Sequence, residues 1–204
     1  MDLALSIERA CFDYLLIEDS IFIGENWQNS RDIFLKSGIC VPRQESSVVA
    51  TLLAATTKRL GIVPTLSTFA YHPYLTARII GSLNQISGGR ADWNLVTGFN
   101  DLAAQNFRLD GMAEEYAIIV KQRWDSWKPG AIVDDRKNGR LIEPAKVHTI
   151  DYSGRYYASR GPLNSGPCSQ GRPIIAQAGG SSTAALSPPP MRTRSSPRRA
   201  GSRT

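Results

Sequence analysis

The chain has 204 residues, of which 42% are hydrophobic and 21% are charged, as in an ordinary globular protein. No run of 18 apolar residues occurs, which argues against a transmembrane helix, and three scattered cysteines argue against a zinc site or a disulfide framework. The net charge of +6 lies at the C-terminus, because five arginines fall in the last 13 residues and the rest carries only +1. The first residues contain acids and no basic leader, so we expect a cytoplasmic protein without a signal peptide.

Helix-like and strand-like patterns alternate along the first hundred residues. They predict a helix at 2–12, with Leu3, Leu5, Ile7 and Ala10 on one face, and then a buried strand at 13–19. After a loop to residue 46 come a helix from 48, a strand at 60–68, a helix from 73 and a strand at 91–98. Pro64 is expected at a sheet edge, a bulge or a strand end, because proline has no N–H for a sheet ladder. The helix from Pro73 is expected to bury an apolar stripe made of Leu75, Ile79, Leu83 and Ile86.

The second half of the chain predicts helices near residues 101–107 and 112–127, a loop-rich segment at 129–172 with a hairpin inside 147–161, and a buried strand at 173–178. Strands alternating with helices predict an α/β protein whose βα units surround a parallel sheet. An open doubly wound sheet and a barrel both fit this pattern. No GxGxxG or GxxxxGK[ST] motif follows a strand to favour a nucleotide-binding open sheet.

Small or amide-type hydrogen-bonding residues lie at the C-terminal ends of the predicted strands, where histidines and carboxylate pairs are absent. They are Asp19, Ser20, Ser67, Thr68, Asn94, Thr97, Asn100, Gln177 and the segment Gly179–Ser182. In a barrel these strand ends form the active site. The set has little capacity for acid–base or metal chemistry, and it suits a polar, uncharged ring system and a phosphate. The alternative is that these residues only form turns and cap helices. The histidines, His72 and His148, are interpreted as a surface or capping residue and a structural residue.

Several sequence blocks resemble one family in their order along the chain. They are RACFDYLLIEDS at 9–20, HPYLTARIIGSLNQISGGR at 72–90, ISGGRADWNLVTGFNDLAAQNF at 86–107, RWDSW at 123–127 and the segment at 143–182. The chain resembles the bacterial luciferase-like flavin-dependent monooxygenases over nearly all of residues 1–182. The branch it resembles is that of nitrilotriacetate monooxygenase component A and dibenzothiophene-sulfone monooxygenase.

This resemblance implies an eight-stranded βα barrel that uses reduced FMN and O2 to oxidise a small organic substrate. A separate NAD(P)H-dependent flavin reductase supplies the reduced FMN in such two-component systems, and the cofactor carries the difficult chemistry. By resemblance, Asp19 and Ser67 line the FMN site, and Asn94 and Thr97 lie beside the isoalloxazine ring. Ser181 and Ser182, in the turn Gly179–Ser182, would contact the phosphate. No catalytic residue is assigned, and neither a metal ion nor a membrane is implied.

The sequence departs from the family pattern in three places. The match starts at a helix before the second barrel strand, and the family's His-Asp-x-Arg-Tyr block has no counterpart before Ala113. Residues 183–204 are rich in Pro, Arg and Ser where the family has a helix and a strand. With GC-rich third codon positions, another frame of this tail permits the family-like segment HADAVF. We therefore infer a frameshift near Ser182, and a genuine basic tail is the alternative.

The expected architecture is a partial TIM-type (β/α)8 barrel, the N-terminal half only, with an irregular insertion and a disordered C-terminal tail. Residues 1–182 would form the barrel domain and residues 183–204 the tail. As a fragment the chain is expected to be inactive, because a half-barrel leaves sheet edges unpaired. Two other hypotheses stay open, a non-catalytic module whose arginine tail binds nucleic acid and a homo-oligomer in which two half-barrels pair. The nearly neutral body and the family resemblance favour a monooxygenase by descent over both of these hypotheses.

Overall fold

The computed structural model describes residues 2–25, 27–97 and 113–177. Its helices are α1 (Asp2–Arg9), α2 (Asp32–Ser37), α3 (Ser46–Thr56), α4 (Pro73–Ile86) and α5 (Ala113–Asp125), with a 3-10 turn at Pro144–Lys146. Its strands are β1 (Tyr14–Ile17), β2 (Gly61–Ser67), β3 (Trp93–Val96), β4 (Ile132–Asp135), β5 (Arg140–Ile142), β6 (Tyr152–Ser153), β7 (Ala158–Ser159) and β8 (Ile175–Ala176). The helix predicted at 101–107 and the tail at 183–204 lie outside the described residues.

Four strands form one parallel sheet in the order β1-β2-β3-β8. Leu15 lies opposite Ile62, Thr65 opposite Asn94, and Trp93 opposite Ile175. Parallel neighbours need a crossover, and α3 and α4 supply the crossovers between β1 and β2 and between β2 and β3. The predicted alternation of strands and helices around a parallel sheet is therefore confirmed.

The segment between α5 and β8 is an irregular insertion that contains two short antiparallel hairpins. β6 pairs with β7 inside the range where a hairpin is predicted. β4 pairs with β5 in a stretch that the sequence pattern assigns to a loop, and α2 likewise lies in a predicted loop. No helix in the described ranges is long and apolar enough to cross a membrane.

One face of the sheet carries the hydrophobic core. Alternate residues of β2 and β3 point to this face and pack against α3, α4 and α5; they are Ile62, Leu66, Trp93 and Leu95. The indole of Trp93 donates to the Leu66 carbonyl over 3.0 Å, and that of Trp124 donates to the Ala77 carbonyl over 3.0 Å. The opposite face therefore carries the residues between them, among which Thr65, Ser67 and Asn94 are polar and buried.

Two details of the predicted elements are wrong. Pro64 lies in the middle of an interior strand, not at an edge, a strand end or a bulge, since the register of β2 against β3 is the same on both sides of it. The pairing of β2 with β3 is interrupted there, between the Ile62–Ala91 bridge and the ladder that starts at Thr65, because Pro64 has no N–H to donate. In α1 only Ala4 is buried, and Leu3 is among the most exposed apolar residues.

The apolar stripe predicted for α4 is confirmed for Leu83, which is buried in the core, and for Ile79, which packs against it, and it is wrong for the other two residues. Leu75 and Ile86 are exposed, and the buried face is offset to include Thr76, Ile80 and Asn84. The polar members of this face have buried partners: the Thr76 hydroxyl bonds the Tyr116 hydroxyl at 2.5 Å, and Asn84 Nδ2 donates to the Ala91 carbonyl at 3.0 Å. The buried face of α4 is thus mainly apolar, with Ala77, Ile80 and Leu83 in the core, and its two polar members are hydrogen-bonded, as buried polar groups usually are.

Arg90 joins three elements at the N-terminal side of the sheet. Its guanidinium donates five hydrogen bonds, to the carbonyls of Ala54, Thr57, Leu60 and Ser87 and to the Thr57 hydroxyl. These acceptors lie at the end of α3, before β2 and at the end of α4. Arginine suits this position because its planar group presents five donors in fixed directions.

Candidate functional site

The carboxyl ends of the four parallel strands lie along one edge of the sheet, where βα barrels place their active sites. Asp19 follows β1 by two residues, Ser67 is the last residue of β2, Thr97 follows β3, and Gln177 follows β8. Six residues are predicted to contact FMN, and the structure describes four of them. These four belong to one sheet and its carboxyl edge; they are Asp19, Ser67, Asn94 and Thr97. Ser181 and Ser182 lie outside the described residues, and their contact with a phosphate stays a prediction.

Asp19 is half-buried, and its Oδ1 accepts the N–H of Ser20 at 2.8 Å. Burial raises the pKa of the Asp19 carboxyl, and the neighbouring carboxylate of Glu45 raises it further. The Ser20 hydrogen bond and the charge of Arg43 oppose this shift without cancelling it. Asp19 therefore takes up a proton at a higher pH than an ordinary aspartate does.

Ser67 and Asn94 are buried, and each has a polar atom without a partner among the described residues. Asn94 Nδ2 donates to Thr65 Oγ1 at 2.8 Å. Asn94 Oδ1 and Ser67 Oγ make no hydrogen bond with any described residue. Buried polar atoms in folded proteins nearly always have a hydrogen-bond partner. The two unmatched atoms lie on the same face of neighbouring strands, which makes this face of the sheet the candidate site.

Glu45 and Tyr71 are residues of this edge that the sequence pattern does not single out. Glu45 is the N-cap of α3: its Oε2 accepts from Val48 N at 2.9 Å and from Ser47 Oγ at 2.6 Å. Its Oε1 accepts from the Tyr71 hydroxyl at 2.9 Å. Burial acts to raise the pKa of Glu45, but these hydrogen bonds outweigh it and the net shift is downward. Burial and the Glu45 carboxylate both raise the pKa of Tyr71.

The sequence carries only a weak signal for Glu45. The segment QESSVV offers two serines, which are more usual N-caps than glutamate, directly after it. Its closeness to Asp19 depends on the path of the loop between β1 and α3, which no pattern of hydrophobicity encodes. A signal for Tyr71 is absent, since it lies in a turn after β2 and belongs to no periodic pattern.

Of the two histidines, His72 caps a helix through its ring, and the hydrogen bond of His148 is made by its backbone. His72 is the N-cap of α4, where its Nδ1 accepts from Tyr74 N at 3.2 Å. Burial lowers its pKa, and the charge of Arg123 lowers it further. The His148 N–H donates to the Ser126 carbonyl at 2.8 Å, beside a shallow depression at the end of α5. That depression contains no strand-end residue, and it is separate from the candidate site.

Comparison with known protein families decides between a barrel and an open sheet. The family model described as luciferase-like monooxygenase matches residues 1–187. The chain belongs to the luciferase-like monooxygenase family. Dibenzothiophene-sulfone monooxygenase of Rhodococcus erythropolis is 38% identical over 188 residues, which cover 87% of this chain and 41% of that protein. Nitrilotriacetate monooxygenase component A of Aminobacter aminovorans is 35% identical over 192 residues, 88% of this chain and 42% of that protein.

Solved structures confirm the fold. Long-chain alkane monooxygenase (LadA) superposes with a TM-score of 0.83 at 32% identity, over 89% of this chain and 44% of that one. Riboflavin lyase (RcaE), crystallised with modified FMN and its substrate riboflavin, superposes with a TM-score of 0.81 at 35% identity. The match covers 89% of this chain and 42% of that one. The parallel sheet of this chain is therefore part of a TIM-type βα barrel, and the chain spans about two fifths of the length of its curated relatives.

Proposed function

We propose that the sheet face carrying Ser67 and Asn94 is part of a site for reduced FMN in the oxygenase component of a two-component monooxygenase. The observation that carries the proposal is the pair of buried atoms, Ser67 Oγ and Asn94 Oδ1, without partners among the described residues. The edge of an isoalloxazine ring presents both N–H and C=O groups. Such an edge can satisfy an amide oxygen and a hydroxyl together.

The remaining residues of the proposed site fit the same ligand. Asp19, with its raised pKa, can offer either a carboxylate oxygen or an O–H to a ligand. The Thr97 hydroxyl follows β3 on the same edge and would lie beside the ring. Ser181 and Ser182 would hold the phosphate, as hydroxyls and backbone N–H groups of glycine-rich turns do.

The proposed reaction is the monooxygenation of a small organic substrate. When bound, reduced FMN supplies the two electrons with which O2 yields one oxygen atom to the substrate and one to water. A separate NAD(P)H-dependent flavin reductase would deliver the reduced FMN. Because that reductase needs NAD(P)H, we propose that this protein works in the cytoplasm. The protein itself would hold the flavin ring, orient it through fixed hydrogen bonds and exclude water from it.

Binding of FMN requires fewer parts of the barrel than formation of the oxygenated product does. The described residues supply four parallel strands, whereas a TIM-type barrel closes with eight. We propose that this chain by itself binds the ring weakly and gives no monooxygenated product, because the open side admits water.

The test is an anaerobic titration of the full chain with photoreduced FMN, repeated in air with oxidised FMN and followed by flavin fluorescence. We expect saturable binding, which Asn94→Leu weakens about ten-fold because the amide contact is lost. Asn138→Leu, in the exposed turn between β4 and β5, is the matched control and should bind as the unaltered chain does. Absence of saturable binding by the unaltered chain, or equal binding by the Asn94→Leu variant, would overturn the proposal.

A further inference from the structure

The hydroxyl of Thr65 makes two hydrogen bonds on the sheet face that carries the candidate site. Thr65 lies in β2, it is buried, and its side chain points to the same face of the sheet as Asn94. Thr65 Oγ1 lies 2.7 Å from the Ile17 carbonyl oxygen of β1 and 2.8 Å from Asn94 Nδ2 of β3. One hydroxyl therefore connects three neighbouring strands.

The chemistry of these groups allows only one direction for the two bonds. A backbone carbonyl cannot donate, so Thr65 must give its single proton to the Ile17 oxygen. The hydroxyl oxygen then faces Asn94 as an acceptor, and only the NH2 side of the amide can satisfy it. The two sides of an asparagine amide are nearly alike in shape, so its orientation is set by such partners.

The consequence lies at the other end of the amide. With Nδ2 held by Thr65, the Asn94 side chain presents Oδ1, the atom that has no partner among the described residues. We propose that Thr65 is a positioning residue, which fixes the Asn94 amide with its oxygen toward the bound ring and so selects a ligand edge that offers an N–H. This inference rests on the proposed flavin site, and Thr65 itself does not contact the ligand.

The test compares three forms of the full chain by titration with FMN and by the visible spectrum of the bound flavin. Thr65→Val has nearly the same shape and no hydroxyl, so the amide loses the bond that orients it. We expect it to weaken FMN binding about five- to ten-fold and to shift the bound-flavin absorption bands. Thr65→Ser keeps the hydroxyl and should restore both the affinity and the spectrum.

A double-mutant cycle separates positioning from general damage to the sheet. If Thr65 acts through Asn94, the Thr65→Val change should have no further effect on binding in a chain that already carries Asn94→Leu. Additive losses, or a Thr65→Val chain that binds with unchanged affinity and spectrum, would overturn the inference while leaving the flavin site intact. A failure of the unaltered chain to bind FMN would instead overturn the proposed function.

Discussion

At the scale of single residues, two helix glutamates each bind a loop by accepting three consecutive backbone N–H groups. Glu8 of α1 accepts the N–H groups of Lys58, Arg59 and Leu60 with one carboxylate oxygen. Glu115 of α5 accepts those of Arg155, Tyr156 and Tyr157 at 2.7, 3.0 and 3.2 Å. A carboxylate that accepts several backbone N–H groups is stabilised in its charged form.

Glu115 provides a test of this arrangement through pH. Desolvation acts to raise the pKa of Glu115, but the backbone N–H groups outweigh it and the net shift is below the ordinary value of 4.5. Because the folded pKa is the lower one, the stabilisation is fully present above about pH 4.5 and is lost as the pH falls through the folded pKa. Glu115→Gln should therefore reduce the free energy of unfolding at pH 7, and the difference from the unaltered chain should shrink in acid.

Urea denaturation between pH 3 and 8 measures this difference. Glu114→Gln, one residue earlier in α5 and exposed, is the matched control for the loss of one negative charge. A Glu115→Gln deficit that stays constant down to pH 3 would contradict the explanation.

At the scale of elements, Leu163 anchors the insertion between α5 and β8 to the rest of the fold. Its side chain is 1% exposed and belongs to the core cluster, next to Gly81 of α4. Its carbonyl accepts from the Trp127 indole at 2.6 Å, and its N–H donates to the Ser126 hydroxyl at 3.1 Å. Leu163 thus adds a buried side chain and two bonds of its own backbone to the contacts, such as those of Glu115, that hold the insertion.

Leu163→Ala should lower the free energy of unfolding by about 2–4 kcal/mol, since it removes buried methyl groups and leaves a cavity between the helices. The backbone hydrogen bonds of residue 163 remain in this variant, so the loss reports on packing. Urea denaturation at neutral pH measures it, with Leu141→Ala as the control because Leu141 is 61% exposed. Equal losses in the two variants would show that Leu163 does not anchor the insertion.

The sequence predicts the elements better than it predicts their buried faces. The α4 helix is expected and found, yet only Ile79 and Leu83 of its predicted stripe pack in or against the core, and its buried face also holds Thr76 and Asn84, whose hydrogen bonds only the folded chain reveals. The same holds for the site. Ser67 and Asn94 are expected at strand ends, whereas Thr65 and Glu45 gain their importance from atoms 48 and 26 residues away in the chain.

At the scale of the whole molecule, the sheet has an exposed edge at β1. β1 pairs with β2 and with no other described strand, and its Tyr14 and Leu16 are 59% and 41% exposed. Unpaired backbone groups beside exposed apolar side chains favour association with another chain. We expect the protein to self-associate as its concentration rises through the micromolar range.

Sedimentation velocity across a concentration series tests this expectation. Leu16→Lys places a charge on the edge strand and should shift association to higher concentration. Leu52→Lys on α3 removes an apolar side chain of similar exposure, 52%, away from the edge and should leave association unchanged. Association that is insensitive to Leu16→Lys would locate the contact elsewhere.

The five bonds of Arg90 have a consequence for the order of folding events. Four of them reach acceptors 30 to 36 residues earlier in the chain, so they cannot form until α3, β2 and α4 have come together. We therefore expect the guanidinium to complete this βα unit late in folding, after its elements have met. In kinetic terms, loss of Arg90 should accelerate unfolding and leave the folding rate nearly unchanged, as for a contact absent from the transition state.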